Sequence, residues 1–292
     1  MSHGSSHVVP AGLLPLDLRY AERAPADLVS LLREPAARFS KDRLAQVQAL
    51  SFGGRQSGER LYEMVEGIAY IPIRGPLFND RFIDPYYGWS GYKGLSAQRA
   101  AAMADQEVRA ILYDISSPGG VADGLFDLVD EIYADRGQGK AIWAMANGMA
   151  LSAAYAIASA AEFIFLPRLA AVGSIGVWTL HVDQSAFLEQ LGIKVSLVFS
   201  GQHKVDGHPF GPLPDDVRAD MQRRVDRTRQ LFAQTVARNR GLELQAVMDT
   251  EARIYEDREA ISAGLADGVA TDREVVAALL EELAGAASAP AA

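Results

Sequence analysis

The stretch VRAILYDISSPGG, residues 108–120, decides the fold class of this chain. VRAILYDI is a continuous apolar run of strand length, SSPGG is a turn, and a helical pattern follows from Val121 to Asp135. The same order recurs with an apolar strand from Lys140 to Ala146, a Gly-containing turn and an Ala-rich helix. Apolar strands that alternate with helices predict an α/β fold, in which helices cover both faces of a mostly parallel sheet.

The pattern continues on both sides of this stretch. Before it, GIAYIPIRGPL (Gly67–Leu77) predicts a strand and a turn, and Asn79–Leu95 is too rich in Gly, Pro and aromatic residues for a regular element. That loop is either packed on the surface or a lid that faces the substrate. The remaining predicted elements are a helix over Ser96–Asp105, strands over Glu162–Pro167 and Ile193–Phe199, a helix over Asp183–Leu191, a long amphipathic helix over Pro214–Arg240, two short helices, a strand over Gly268–Thr271 and a last helix over Asp272–Ala284.

Composition and charge restrict the function classes. The 292 residues are 49% hydrophobic and 22% charged, with a net charge of −9, which argues against nucleic acid or an anionic membrane as the main partner. The absence of cysteine excludes thiolate catalysis and disulfides. With neither a signal-peptide pattern nor an apolar run of about 18 residues, we expect no membrane anchor and a cytoplasmic location. We expect an arm over residues 1–60, the main domain over 61–284 and a flexible tail over 285–292.

Ser152 stands out in ANGMALSAAYAIASA (residues 146–160), where the turn meets the Ala-rich helix. A serine at this place is ordinarily a helix cap. It can be a nucleophile only if a neighbouring base removes its proton. The sequence therefore has to supply a base and a group of amides that binds an oxyanion.

Lys204 and three histidines are the candidate bases. Lys204 follows the predicted strand in SGQHK, and a lysine acts as a base only as the neutral amine, which requires burial to lower a pKa that is ordinarily about 10.4. The alternative is a solvated loop lysine. His181 and His203, with Asp183 or Asp206, would instead make a Ser-His-Asp triad.

The SSPGG turn supplies candidate oxyanion donors, because consecutive glycines leave backbone N–H groups free to approach a ligand. Turns of this kind also simply connect elements. The Lys-Ser/Thr signature of a phosphate-binding loop is missing, so a nucleotide site is not predicted.

Taken together, these motifs resemble the protease IV or signal peptide peptidase A family of Ser/Lys peptidases, whose fold is related to Clp protease and crotonase and is built of repeated ββα units. The matching segments are IPIRGPL, SPGG (Ser117–Gly120), MALSAAYAIASAA, GSIGV (Gly173–Val177) and SGQHK. From SGQHK through ARIYEDREAISAGLADGV, the chain is most similar to the capsid-assembly, or prohead, proteases of lambda-like tailed phages.

The resemblance implies a role for each matched residue. Ser152 would be the nucleophile, Lys204 the general base, and Ser174 a partner that hydrogen-bonds the lysine amine. The backbone N–H groups of Gly119 or Gly120, with that of Ala153, would form the oxyanion hole. Ala153 and Ala154 stand where the membrane-bound relatives usually have glycine, so the backbone there must either avoid positive φ or be strained.

The resemblance also implies partners. It implies a homo-oligomer, peptide or protein substrates such as scaffold or portal proteins, no cofactor and no metal, and a place inside the procapsid. Three other functions remain open at this point: a bacterial cytoplasmic relative of signal peptide peptidase, a crotonase-like acyl-CoA enzyme, and an inactive capsid or scaffold component with the same fold.

Overall fold

The computed structural model describes residues 60–80, 83–84 and 89–288. Its strands are β1 (Glu63–Val65), β2 (Ile68–Arg74), β3 (Leu77–Phe78), β4 (Ile83–Asp84), β5 (Trp89–Gly91), β6 (Ala110–Ser117), β7 (Ala141–Leu151), β8 (Phe163–Leu166), β9 (Ala171–Gly173), β10 (Ile254–Glu256) and β11 (Gly268–Val269). Its helices are α1 (Tyr92–Ala104), α2 (Leu125–Asp135), α3 (Ala153–Ser159), α4 (Ser185–Gln190), α5 (Asp215–Arg240), α6 (Leu244–Met248), α7 (Asp257–Ser262) and α8 (Asp272–Ser288).

A mostly parallel sheet forms the centre of the fold. Its strand order is β1-β2-β6-β7-β8-β11, and β9 pairs with β7 and carries β10. The pairings among β2, β6, β7, β8, β9 and β11 are parallel, whereas β1 and β10 are antiparallel. The predicted α/β class with a mostly parallel sheet is confirmed.

Both faces of the sheet are covered because its strands carry apolar residues on both sides. On β6, Ile111 and Tyr113 belong to the core that includes residues of α1, α2 and α3. Ala110 and Leu112 alternate with them and belong to a second core, which includes Leu279 of α8. This two-sided burial explains why β6 reads as a continuous apolar run in the sequence.

The predicted irregular loop over Asn79–Leu95 is partly regular, which corrects the prediction. β5 pairs with β3 and β4 in a small second sheet, and α1 begins at Tyr92. Tyr92 is buried and its hydroxyl donates to the Val121 carbonyl (2.7 Å). Of the two expectations for this loop, the packed one fits its described end; residues 81–82 and 85–88 lie outside the described residues.

Contacts divide the chain into two compact units. We call the described residues up to Gly176 and from Phe232 onward the sheet unit, and Val177–Leu231 the small unit. The predicted N-terminal arm lies outside the described residues, apart from Arg60. The domain bounds drawn from the sequence stay a prediction.

The small unit contains α4 and the first part of α5, but the strand predicted over Ile193–Phe199 is wrong. Its residues have no regular secondary structure and pair with no strand in the part of the chain that the structure describes. The apolar side chains at every second position are exposed by 38% to 51% of their surface (Ile193, Val195, Leu197 and Phe199), and Val198 is exposed by 99%. A strand requires a neighbouring strand for its N–H and C=O groups, and the alternating pattern alone does not supply one.

The last helix also ends later than predicted, since α8 continues past Ala284 to Ser288. Alanine has the highest helix propensity, which accounts for the longer helix in this Ala-rich segment. Among the helices of the described residues, none is long and apolar enough to cross a membrane.

Asp105 connects the edge of the sheet unit to the end of α1. Its carboxylate accepts hydrogen bonds from Arg60 Nε (2.8 Å), the Tyr62 hydroxyl (2.8 Å) and the Glu107 N–H (2.9 Å). The Arg60 bond, then the other two, lower the pKa of Asp105 to about 2. Asp105 thus stays ionised in the folded protein at a pH where an ordinary aspartate would be protonated.

We predict that Asp105 adds stability above about pH 4 that is lost as the pH falls through about 2, because its pKa is lower in the folded state than in the unfolded state. Asp105→Asn should lower the melting temperature at pH 6 and flatten its fall between pH 5 and pH 2. Thermal melts across this range, with the exposed Asp127→Asn as control, measure the effect. Identical pH profiles for wild type and Asp105→Asn would contradict it.

Candidate active site

Ser152 lies between the last residue of β7 and the first residue of α3, and its backbone has φ 51° and ψ −124°. A positive φ is uncommon for a residue with a side chain and costs roughly 1–3 kcal/mol where the surrounding structure imposes it. The Ser152 side chain makes no capping hydrogen bond to α3. The interpretation of Ser152 as an ordinary helix cap is therefore wrong, and its hydroxyl stays available for chemistry.

The turn predicted before Ser152 is part of β7. The pairing of β6 with β7 shifts after Ile115–Ala146 and resumes at Ser117–Ala150, and Gly148 has φ 105° within this irregular section. Before the shift β7 pairs with β8, and after it β7 pairs with β9. The glycine that indicated a turn instead lets the strand change partners.

Ser174 is brought to Ser152 by the second half of β7. Leu151 pairs with Gly173, and the Ser152 N–H donates to the Gly173 carbonyl (2.9 Å). Ser174 follows directly, with φ 55°, and its own N–H donates to the Arg253 carbonyl (2.9 Å). The two serines predicted from the sequence are thus neighbours, and both have positive φ.

The SPGG turn packs directly against Ser152. A Cβ placed on Gly119 would lie 2.7 Å from Ser152 Cβ and 2.8 Å from the Leu151 carbonyl oxygen, and Gly119 has φ 103°. A Cβ on Gly120 would lie 2.0 Å from the Leu77 oxygen. Neither position can hold a side chain without displacing backbone, which explains both glycines physically.

The candidate oxyanion amides differ in their partners. The Gly119 N–H donates to Ser117 Oγ (3.1 Å). No acceptor among the described residues takes the N–H of Gly120 or of Ala153. Two of the three candidate amides are therefore free to bind an oxygen atom. Ala153 and Ala154 are both helical, so the backbone avoids positive φ at this pair, and the strain falls on Ser152.

Lys204 lies in the small unit, in a turn where its N–H donates to the Gly201 carbonyl (3.1 Å), and its side chain is exposed. The burial expected of a neutral lysine is not seen there. In the same turn His203 Nδ1 contacts Asp206 Oδ2 at 2.9 Å, whereas His181 Nε2 contacts the Gly211 carbonyl (3.1 Å). Of the rival triads, only His203 with Asp206 has a direct His–Asp contact among the described residues, and the assignment of the base stays a prediction.

The Ser117 hydroxyl was not predicted from the sequence as part of the site. It donates to the Gly75 carbonyl (2.6 Å) and accepts the Gly119 N–H, so it connects the end of β2 to the glycine turn. The signal was the serine before Pro-Gly-Gly, but a small polar residue there is equally typical of an ordinary turn.

Comparison with models of known protein families identifies the family of this chain. The model for peptidase family S49 matches residues 134–286, which include Ser152, Ser174 and Lys204. The chain belongs to peptidase family S49. The family predicted from the sequence motifs is thereby confirmed.

Several S49 relatives resemble this chain. It is 43% identical to capsid assembly protease C of Escherichia phage lambda, over 79% of this chain and 52% of the relative, and 42% identical to head-tail preconnector protein GP5 of Enterobacteria phage P21, over 82% and 48%. A putative signal peptide peptidase SppA of Enterococcus faecium is 26% identical over 61% of this chain and 52% of the relative. The chain spans about half the length of the two phage relatives. The solved structure of a ClpP1 mutant from Listeria monocytogenes matches with a TM-score of 0.42 and 14% identity, over 70% of this chain and 92% of that one.

We predict that Gly119→Ala reduces peptide cleavage by about 100-fold or more, because the added Cβ would press on Ser152 and displace the candidate oxyanion amides. Gly139→Ala is the matched control. Gly139 also has positive φ (90°), but a Cβ there would meet nothing within 4 Å. Cleavage that is lost in Gly119→Ala and kept in Gly139→Ala, with thermal melts showing that both proteins are folded at the assay temperature, would support the site. Equal activity in both variants would count against it.

Proposed function

We propose that this chain is a serine endopeptidase that acts through a Ser152–Lys204 dyad and processes capsid components of a tailed phage, with scaffold and portal proteins as the expected substrates. The observation that carries the proposal is the strained Ser152 backbone, packed against a glycine turn and beside Ser174, in a member of peptidase family S49. The names of the two phage relatives support the substrate class.

The chemistry follows from these groups. Ser152 Oγ attacks the carbonyl carbon of the peptide bond while Lys204 Nζ takes the hydroxyl proton. The N–H groups of Gly120 and Ala153 stabilise the resulting oxyanion, and the lysine then protonates the leaving amine. Water attacks the acyl-enzyme by the same route in reverse and releases the second product.

Ser174 orients the base in this scheme. A neutral lysine amine has a lone pair and two N–H bonds, so a serine hydroxyl that bonds to it can fix the direction of the lone pair. The positive φ of Ser174 and the bond of its N–H to the Arg253 carbonyl support such a fixed role. Losing an orienting partner reduces catalysis less than losing the nucleophile or the base.

We predict that Ser152→Ala and Lys204→Met each abolish cleavage, whereas Lys93→Met, which removes another exposed lysine, leaves it unchanged. Cleavage by the wild type should increase with pH, because only the unprotonated amine can accept the serine proton. Each variant is co-expressed with a candidate portal or scaffold protein of a tailed phage, and mass spectrometry identifies the cut ends.

His203→Ala separates this dyad from the rival triad, since among the described histidines His203 is the one that contacts an aspartate. Full activity in His203→Ala together with none in Lys204→Met supports the dyad. The reverse pattern supports the triad. A wild type that makes no Ser152-dependent cut would support an inactive capsid component with the same fold.

We also infer that the enzyme is a homo-oligomer. The support is the exposed apolar surface of the small unit, in particular the alternating side chains of Ile193–Phe199, since exposed apolar patches mark interaction surfaces. A second copy of the chain offers the same apolar segment, which makes self-association the simplest way to cover it.

We predict that Val198→Asp dissociates the oligomer, because it places a charge where the apolar surface is most exposed. Leu169→Asp is the control, since Leu169 is also strongly exposed (83%) but lies in the sheet unit. Light scattering after size-exclusion chromatography gives the mass of each. A wild type that elutes as a monomer would contradict the inference.

A further inference from the structure

The Ser117 hydroxyl is fully buried and holds two pieces of backbone at once. Its Oγ donates to the Gly75 carbonyl (2.6 Å) and accepts the Gly119 N–H (3.1 Å). Gly75 belongs to the turn between β2 and β3, and Gly119 belongs to the turn that packs on Ser152. A hydroxyl suits this position because it can donate one hydrogen bond and accept others at the same time.

Three hydrogen bonds define the orientation of the glycine turn. Besides the bond to Ser117, the Leu77 N–H donates to the Gly119 carbonyl (3.0 Å), and the Val121 N–H donates to the Leu77 carbonyl (3.0 Å). The Gly119 carbonyl and the Gly120 N–H belong to one trans peptide plane and point in opposite directions. Because the carbonyl points to Leu77, the Gly120 N–H points away from β3.

The bond to Ser117 fixes the preceding peptide plane. Two successive glycines have wide backbone freedom, and Gly119 already has φ 103°. Without the hydroxyl, the Pro118–Gly119 plane could rotate, the close contact of Gly119 with Ser152 would loosen, and the Gly120 N–H would no longer keep one direction. The bond to Ser117 therefore restricts rotation of the Pro118–Gly119 peptide plane, whereas the bond from the Leu77 N–H restricts the Gly119–Gly120 plane.

We propose that Ser117 is a positioning residue for catalysis: by binding the Gly119 N–H, it holds the turn so that the Gly120 N–H is presented as the oxyanion donor beside Ser152. Ser117 does not touch the substrate in this scheme. It acts on the transition state through Gly120. The inference rests on the proposed function, because an oxyanion donor matters only if Ser152 forms a tetrahedral intermediate.

Ser159 provides a matched control within the same fold. It is also fully buried, its Oγ donates to the Ala156 carbonyl (2.7 Å), and it accepts a hydrogen bond from Asn239 Nδ2 (3.0 Å). It lies at the far end of α3 from Ser152, about 10 Å along the helix at 1.5 Å per residue. Removal of either hydroxyl takes away one donated and one accepted hydrogen bond, so the two variants should lose similar stability.

The test compares Ser117→Ala, Ser117→Thr and Ser159→Ala on one peptide that the wild type cleaves. We expect kcat to fall about 10- to 100-fold in Ser117→Ala with KM changed less than about 3-fold, because an oxyanion donor acts on the transition state and not on the bound substrate. Ser117→Thr keeps the hydroxyl and should recover most of kcat. Ser159→Ala should keep the wild-type kcat despite a similar loss in melting temperature.

A second measurement separates positioning from general damage. The aldehyde of the same peptide, which forms a tetrahedral adduct with a serine, should bind Ser117→Ala more weakly by the same factor as kcat/KM falls. The uncleaved peptide should bind the Ser152→Ala and Ser117→Ala/Ser152→Ala proteins equally. If Ser117→Ala does not fold, Ser117→Cys replaces it. A thiol forms weaker hydrogen bonds than a hydroxyl, so the kcat of Ser117→Cys should lie between those of Ser117→Thr and Ser152→Ala.

A kcat of Ser117→Ala or Ser117→Cys equal to that of Ser159→Ala would overturn the positioning role and leave the proposed function standing. A rise in KM with an unchanged kcat would also overturn the positioning role. So would an affinity of Ser117→Ala for the aldehyde that stays at the wild-type value. If the wild type itself shows no Ser152-dependent cleavage, the proposed function fails first, and the role of Ser117 fails with it.

Discussion

The hydrogen bond from the Ser152 N–H to the Gly173 carbonyl is the interaction on which the candidate site depends. It forms because β7 leaves β8 and continues along β9, and this change of partner brings Ser174 next to Ser152. After the register shift, Ala150 of β7 pairs with Ser117 of β6. This pairing brings the glycine turn that follows Ser117 next to Ser152. One irregularity in an otherwise regular parallel sheet thus assembles three segments that are far apart in the sequence.

Backbone strain is concentrated where these segments meet. Ser152 and Ser174 both have positive φ, and so do Glu251 and Ala252, which precede the Arg253 carbonyl that binds Ser174. Each such conformation costs roughly 1–3 kcal/mol and persists only where the surrounding structure imposes it. Here buried strands on both sides impose it, and the result is a serine side chain that is not used as a helix cap. A rigid sheet that holds a strained residue is an arrangement typical of preorganised sites.

Ser174 was implied only by the family resemblance, and the roles of Ser152, Ser174, Gly119 and Gly120 stay a prediction. The sequence did predict the parallel sheet and the long helix, because apolar runs and helical periodicity are local signals. It failed at Ile193–Phe199, where the alternating pattern is that of a strand but the partner strand is missing from the described residues. It also misread Gly148 as a turn, since a glycine that permits a change of strand partner looks the same in one dimension. The Ser117 hydroxyl could not be predicted because its two partners, Gly75 and Gly119, are set by tertiary packing. The burial that a neutral Lys204 needs is likewise a tertiary property, and the lysine is exposed in the small unit.

The proposed chemistry begins with Ser152 as the nucleophile. The most direct measurement is to quench the wild-type protein in acid during hydrolysis of an activated peptide ester and to map the covalent adduct by mass spectrometry. We expect an acyl group on the tryptic peptide that contains Ser152, formed and lost at the rate of turnover and missing in Ser152→Ala. An adduct on another residue, or hydrolysis by Ser152→Ala at the wild-type rate, would contradict it.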